Sequence, residues 1–135
     1  MTPRKKILIV DDDQDLVVGL AVRLRKVGGY DVIMASDGLA AVTKAQRERP
    51  DLVILDLGLP VGDGFSVLER LKTLMNTALI PVIVLSARDP GEAQDAVLQM
   101  GAEAFFQKPA DNDQLLAAIR HALGEDEASP AGANA

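Results

Sequence analysis

Five short apolar runs punctuate the chain, at residues 7–10, 32–35, 52–55, 81–85 and 104–106. Each is about one strand long. The runs are continuous rather than alternating, which predicts strands covered on both faces. Between them the apolar period lengthens to that of a helix. Leu16, Leu20 and Leu24 recur every fourth residue in a segment predicted to be helical over 15–27. A second helix is expected from Asp37 to just before Pro50. A third follows Gly64, where Phe65, Leu68, Leu71 and Leu74 form an apolar stripe. A fourth spans 91–100 and is stopped by Gly101. The last covers 113–123 and ends at Gly124. Strand and helix alternate five times, which predicts an α/β fold: a parallel sheet with right-handed crossovers.

Composition narrows this picture. The 135 residues suffice for one such core and not for a second independent domain. Hydrophobic residues make up 48% and aromatics only 3%, so the core must be aliphatic, as suits a sheet buried between helix layers. Residues 1–4 read as a solvated N-terminal extension, 5–123 as the domain, and 124–135 as a disordered tail poor in large apolar residues. The absence of cysteine excludes a disulfide scaffold, a thiolate metal site and a thiol nucleophile. A net charge of −6 argues against direct nucleic-acid binding. No apolar run approaches a signal-peptide core or a membrane span, so a cytoplasmic protein without membrane insertion is expected.

In open parallel sheets, functional groups collect beyond the carboxyl ends of the strands. Asp11, Asp12 and Asp13 follow the first run, Asp56 the third, Ser86 the fourth and Lys108 the fifth. Converging carboxylates repel one another, and a hard divalent cation relieves that repulsion. Mg²⁺ (or Mn²⁺) held there could neutralise charge on a transferring phosphoryl group, with Lys108 opposing it as a point charge and Ser86 donating a hydrogen bond. Asp56 is then the natural nucleophile. Asp13 reads as a helix cap, Gly64 as a turn glycine in the Asp63-Gly64 turn, and His121 as a surface or half-buried side chain.

Leu8-Ile9-Val10-Asp11-Asp12, Asp51-Leu52-Val53-Ile54-Leu55-Asp56, Leu85-Ser86-Ala87 and Phe106-Gln107-Lys108-Pro109, in that order, resemble the response-regulator receiver family, as does the Leu59-Pro60 and Gly62-Asp63-Gly64 segment. The resemblance covers residues 5–123. It implies a doubly wound, flavodoxin-like (βα)5 fold with sheet order 2-1-3-4-5. It also implies that Asp56 is the phosphoacceptor and that Asp12 binds Mg²⁺ directly while Asp11 does so through water. Gly58 would offer its backbone carbonyl to the metal. Ser86 and Phe105 would be the switch pair, Lys108 the phosphoryl-binding lysine, and Lys108–Pro109 a cis peptide. Gly58 and Arg88 depart from the commonest pattern at two positions flanking the phosphoryl site, where they would set the phosphate lifetime. Ala110 stands where Phe is common.

The implied partners are a sensor histidine kinase or histidine phosphotransfer protein and a downstream protein target. A phosphorylation-dependent dimer through the last helices is a further option. Since no output domain follows within these residues, a single-domain regulator that assists its own phosphorylation and dephosphorylation, without being a turnover enzyme, is expected. Two alternatives stand beside it. One is a haloacid-dehalogenase-type phosphatase, which would use Asp11 of Asp11-Asp12-Asp13. The other is a phosphorylation-independent interaction module. A flavin-binding flavodoxin is disfavoured, because three aspartates stand where a phosphate loop would be needed.

Overall fold

A computed structural model of the chain describes residues 3–60 and 63–125. Five strands, β1 (Lys6–Val10), β2 (Asp31–Ala35), β3 (Leu52–Leu55), β4 (Val82–Ser86) and β5 (Ala104–Gln107), form one parallel sheet in the order β2-β1-β3-β4-β5. The helices are α1 (Gln14–Arg23), α2 (Gly38–Glu48), α3 (Gly64–Thr73), α4 (Pro90–Gln99) and α5 (Asn112–Ala122). This is the doubly wound five-stranded fold expected from the alternating pattern and the family resemblance.

The continuity of the apolar runs has a direct structural cause. Neighbouring strand residues point to opposite faces, and each face has its own core. Leu8, Val10, Val53, Leu55, Val82 and Val84 pack with α2, α3 and α4. Ile7, Ile9, Leu52, Ile54, Ile83 and Leu85 pack with α1 and α5. All four residues of β3 are buried. A polar residue at any of these positions would face one core or the other, so none interrupts the runs.

Pro81 lies just outside β4, which starts at Val82. Proline has no amide hydrogen for the ladder. Its carbonyl still accepts from Val53 N–H at 3.0 Å. At the other end β4 extends to Ser86, so this hydroxyl is the last strand residue rather than a loop residue. The first helix ends not as a regular α-helix but in a π-helical turn, Leu24–Gly28, closed by Gly29 in the left-handed region at φ 72°. Gly124 and Glu125, grouped by composition with the tail, are tied to the domain. Glu125 N–H donates to Arg120 O at 2.8 Å, and Tyr30 Oη donates to Glu125 Oε1 at 2.8 Å. Residues 126–135 of the expected tail, and Gly62 of the expected turn, lie outside the described residues.

Every helix starts on an aspartate: Asp13, Asp37, Asp63, Asp89 and Asp111 cap α1 to α5 in order. Each accepts an amide hydrogen that the helix itself cannot pair. Asp111 Oδ1, for example, accepts from Gln114 N–H at 2.9 Å. Asp111→Ala should lower the unfolding free energy by about 1 kcal/mol in urea denaturation.

Candidate functional site

The sheet order puts β1 and β3 side by side at the centre, so the residues following them meet at the carboxyl edge. Backbone hydrogen bonds carry the ladder one step further: Asp56 N–H donates to Val10 O at 2.9 Å, and Asp11 N–H to Ala35 O at 3.1 Å. Both carboxylates are thereby fixed at their roots. Asp11 is 3% exposed and Asp56 6%, whereas Asp12 points outward. Oxygen atoms of Asp11, Asp12 and Asp56 lie within 4.8 Å of one another.

Lys108 reaches this cluster from the end of β5. Its Nζ lies 2.7 Å from Asp11 Oδ2 and 3.7 Å from Asp56 Oδ1. The lysine backbone is held too, because Lys108 N–H donates to Ser86 O at 2.8 Å. The Lys108–Pro109 bond is cis. Ser86 is 1% exposed, and its Oγ accepts from Arg88 N–H at 3.1 Å. Asp13 N–H donates to Asp11 Oδ1 at 2.9 Å, so Asp13 serves both as a cap and as a support for Asp11.

The electrostatics follow from burial and crowding. Burial pushes the Asp56 carboxyl above its ordinary value, and the adjacent Asp11 charge adds to the rise. Lys108 and the Gly58 N–H pull the other way without cancelling it, and Asp12 adds a further rise. At Lys108 burial opposes the ammonium charge. The hydrogen bond to Asp11 and the charges of Asp56, Asp11 and Asp13 outweigh it and raise its pKa. Three carboxylates therefore face one half-buried ammonium. The donor set is all oxygen, with negative charge in excess, and it fits a hard divalent cation such as Mg²⁺.

Of the residues singled out from the sequence, Asp11, Asp12, Asp56 and Lys108 converge directly. Ser86 joins them through its backbone link to Lys108. Gly58 stands two residues after Asp56 on the exposed part of the same loop. Phe105 sits apart, buried in the core under α4, paired in register with Val84. Ala110 is partly buried against the opposite core. His121 is exposed in the last turn of α5.

Two features escaped the sequence reading. Gly64 is not a turn glycine but the first residue of α3, with no left-handed conformation. A Cβ there would lie 2.3 Å from Leu57 Cα and 2.5 Å from Asp56 O. A glycine at a helix start, where better helix formers were available, was the one sequence signal of a close backbone approach. The second is a cation–π contact, the Arg88 guanidinium carbon lying 5.3 Å from the Phe65 ring centroid. Nothing in the sequence spacing pairs these two residues.

A groove of about 530 Å³ runs between α1 and α5 and meets the site only at Lys108. Exposed Val22 and Val27 line it, and exposed Val18 lies nearby on α1. Among the described residues, no helix is long and apolar enough to cross a membrane.

Comparison with known proteins places this geometry. The family model described as the response regulator receiver domain matches residues 7–120. The chain is 38% identical over 123 residues to the alkaline phosphatase synthesis transcriptional regulatory protein PhoP of Bacillus subtilis, covering 91% of this chain and 50% of that protein. It is 38% identical over 130 residues to the DNA-binding dual master transcriptional regulator RpaA of Synechocystis, covering 95% and 53%. The chain thus spans about half the length of these relatives. Among solved structures it resembles a response regulator receiver domain protein from Methanospirillum hungatei, described as CheY-like, with TM-score 0.82, 28% identity, and 91% and 96% of the two chains covered. It also resembles the receiver domain of a sensor histidine kinase from Pseudomonas aeruginosa with a magnesium ion coordinated in its active site cleft. There the TM-score is 0.81, with 29% identity and 90% and 99% of the chains covered.

Proposed function

The chain belongs to the response regulator receiver family and so acts in phosphorelay signalling; on that premise we propose that Asp56 is its phosphoacceptor, in a site completed by Asp11, Asp12, Lys108, Ser86 and the Gly58 carbonyl. The observation that carries this reading is the meeting of Asp56 with Lys108 at 3.7 Å inside a cluster of three carboxylates.

Receiver domains interact with histidine kinases or phosphotransfer proteins, and the donor to this chain is the phosphohistidine of such a partner. An Asp56 carboxylate oxygen attacks phosphorus, the phosphorus–nitrogen bond breaks, and its electron pair returns to the imidazole. Lys108 lies to one side of the arriving group and balances its charge. Receiver domains bind Mg²⁺ at an acidic pocket, and here Asp11, Asp12, Asp56 and the Gly58 carbonyl would hold it, where it supplies neutralisation of phosphoryl charge. Ser86 then turns its hydroxyl from the Arg88 amide toward the phosphoryl oxygens. Phe105 moves into the space vacated, and the α4–β5–α5 surface changes for a downstream protein partner or a second copy.

The groove beside Lys108, with its exposed valines on α1, is where a partner's helix would bring the phosphohistidine close to Asp56. Receivers are not a classical enzyme family, and the chain assists its own phosphorylation and hydrolysis as a switch. Its place of action is the cytoplasm, and its contacts within these residues are with protein rather than nucleic acid. The dehalogenase-type alternative is disfavoured by the matched family. It is also disfavoured by Asp11 itself, which is committed to Lys108 and to the Asp13 amide.

The test is phosphorylation of the purified chain by acetyl phosphate, with and without EDTA, followed by mapping of the base-labile label. Mg²⁺-dependent label on Asp56 is the expected result. Label on Asp11 instead would establish the phosphatase chemistry, and no label from either acetyl phosphate or a histidine kinase would leave an interaction module.

A further inference from the structure

Arg88 lies in the loop between β4 and α4 and Phe65 in the first turn of α3, yet both are anchored to the acceptor site. Phe65 follows Gly64, whose position is fixed against the backbone of Asp56 and Leu57, with Gly64 N–H donating to Leu57 O at 2.9 Å. Arg88 is tied to the other side of the site by its own N–H on Ser86 Oγ. Between these anchors the guanidinium rests on the Phe65 ring. Among the described residues Arg88 has no carboxylate partner. Its backbone stands at the edge of an anionic site while its charge rests on a ring face.

We propose that Phe65 is a parking platform that holds the Arg88 guanidinium in the resting protein, and that Arg88 leaves the ring to pair with a phosphoryl group on Asp56. The proposal rests on the reading of Asp56 as the phosphoacceptor. The direction of exchange follows from magnitudes. An exposed cation–π contact is weak. A guanidinium–phosphoryl contact is charge-assisted and bidentate, and is the stronger of the two. Phosphorylation converts a carboxylate monoanion into an acyl phosphate dianion, so the pull on Arg88 rises only then.

The exchange is coupled to Ser86. Its Oγ is bound to the Arg88 amide in the resting state. Turning that hydroxyl toward the phosphoryl group frees the amide, so the loop carrying Arg88 is released at the moment its side chain is drawn inward. Arg88 is thus a phosphoryl-binding residue of the phosphorylated state. Phe65, which touches no reacting atom, tunes it by competing for the same cation.

Fluoroberyllate with Mg²⁺ is the probe; its beryllium takes an Asp56 carboxylate oxygen as fourth ligand in place of water. Affinity is read by NMR titration of wild type, Phe65→Leu, Arg88→Gln, Arg88→Lys and the Phe65→Leu/Arg88→Gln double variant. Removing the competitor in Phe65→Leu should tighten binding about 2- to 5-fold. Arg88→Gln should weaken it about tenfold. Arg88→Lys, which keeps the charge but not the planar fork, should fall between. Phe65→Leu should have no effect once Arg88 is Gln. A direct signature comes from the Arg88 Hδ protons, shielded by the ring in the free wild type and not in Phe65→Leu, with the shielding lost when fluoroberyllate binds. An equal effect of Phe65→Leu with and without Arg88, or shielding that persists in the bound state, overturns the proposal. Wild type that fails to bind fluoroberyllate, or Asp56→Asn that binds it equally well, removes the phosphoacceptor reading itself and this proposal with it.

Discussion

Asp56→Asn will lose the phosphoryl label entirely and, in metal-free buffer at neutral pH, will unfold at higher urea than the wild type. The first effect is chemical: an amide oxygen is not a nucleophile of useful strength, and Asn keeps the shape of the side chain. The second follows from burial. Asp56 is only 6% exposed, and its pKa is raised because burial and the Asp11 charge outweigh Lys108. A carboxyl whose folded pKa lies above its unfolded one binds protons better when folded, so its ionisation destabilises the fold. That cost is absent below the unfolded pKa, grows as pH rises between the two values, and is complete above the folded one. Removing the charge should therefore stabilise the protein by about 1 kcal/mol near neutrality, on the scale of replacing buried charge by a neutral group. The gap should close as pH falls through the folded pKa of Asp56. Mg²⁺ should stabilise the wild type more than the variant, because a ligand that binds only the native state adds RT ln(1 + [L]/Kd). A variant less stable than wild type in EDTA would show that Lys108 and the Gly58 amide overcompensate the burial.

Gly64→Ala should be the most destabilising single-methyl change near the site. The new Cβ would lie 2.3 Å from Leu57 Cα and 2.5 Å from Asp56 O. Both are backbone atoms, and neither can rotate away as a side chain would. Either α3 moves outward or the acceptor loop does, at a cost of about 3 kcal/mol or more. That is a large part of the stability of an ordinary domain. Gly58→Ala is the control, since its Cβ would meet only Asp56 Oδ2 at an ordinary 3.8 Å. It should change stability by no more than about 0.5 kcal/mol. Comparable losses in the two variants, by urea denaturation, would mean that the close approach of α3 to Leu57 and Asp56 is not what the Gly64 substitution disturbs. Where enough Gly64→Ala folds to be labelled, its rate should fall as well, because the displaced backbone is that of Asp56.

The fold was legible because its two cores impose the same demand on every strand residue. Ile7 and Leu8 face opposite layers, yet both must be apolar, and the run shows this without a partner in view. The gathering of the candidate site was legible for a related reason: Asp11, Asp56, Ser86 and Lys108 each stand at a strand end, where a parallel sheet brings them together. Contacts that depend on the depth of packing were not legible. Gly64 looked like a turn residue because nothing in the spacing reports how closely α3 approaches the backbone of Leu57. The π-helical turn at Leu24–Gly28 was invisible because its apolar residues also satisfy an ordinary helix. The bond from Tyr30 to Glu125 joins residues 95 positions apart, and composition alone assigned Glu125 to a tail. Arg88 and Phe65 met for the same reason, through a loop and a helix start whose separation no periodicity encodes.

The strand that carries Asp56 is flanked by β1 on one side and β4 on the other and is covered on both faces. In the language of hydrogen exchange, its amides should open only when the whole molecule unfolds. The Asp56 amide, bonded to Val10 O, shares that protection. The amide of Ala87 lies in an exposed loop and should exchange orders of magnitude sooner. The phosphoryl group would therefore be attached at one of the slowest-breathing points of the chain, while the loop after Ser86 is free to move. A modification at such a point cannot relax by local fraying of its own strand, so its strain is passed to the loops around it.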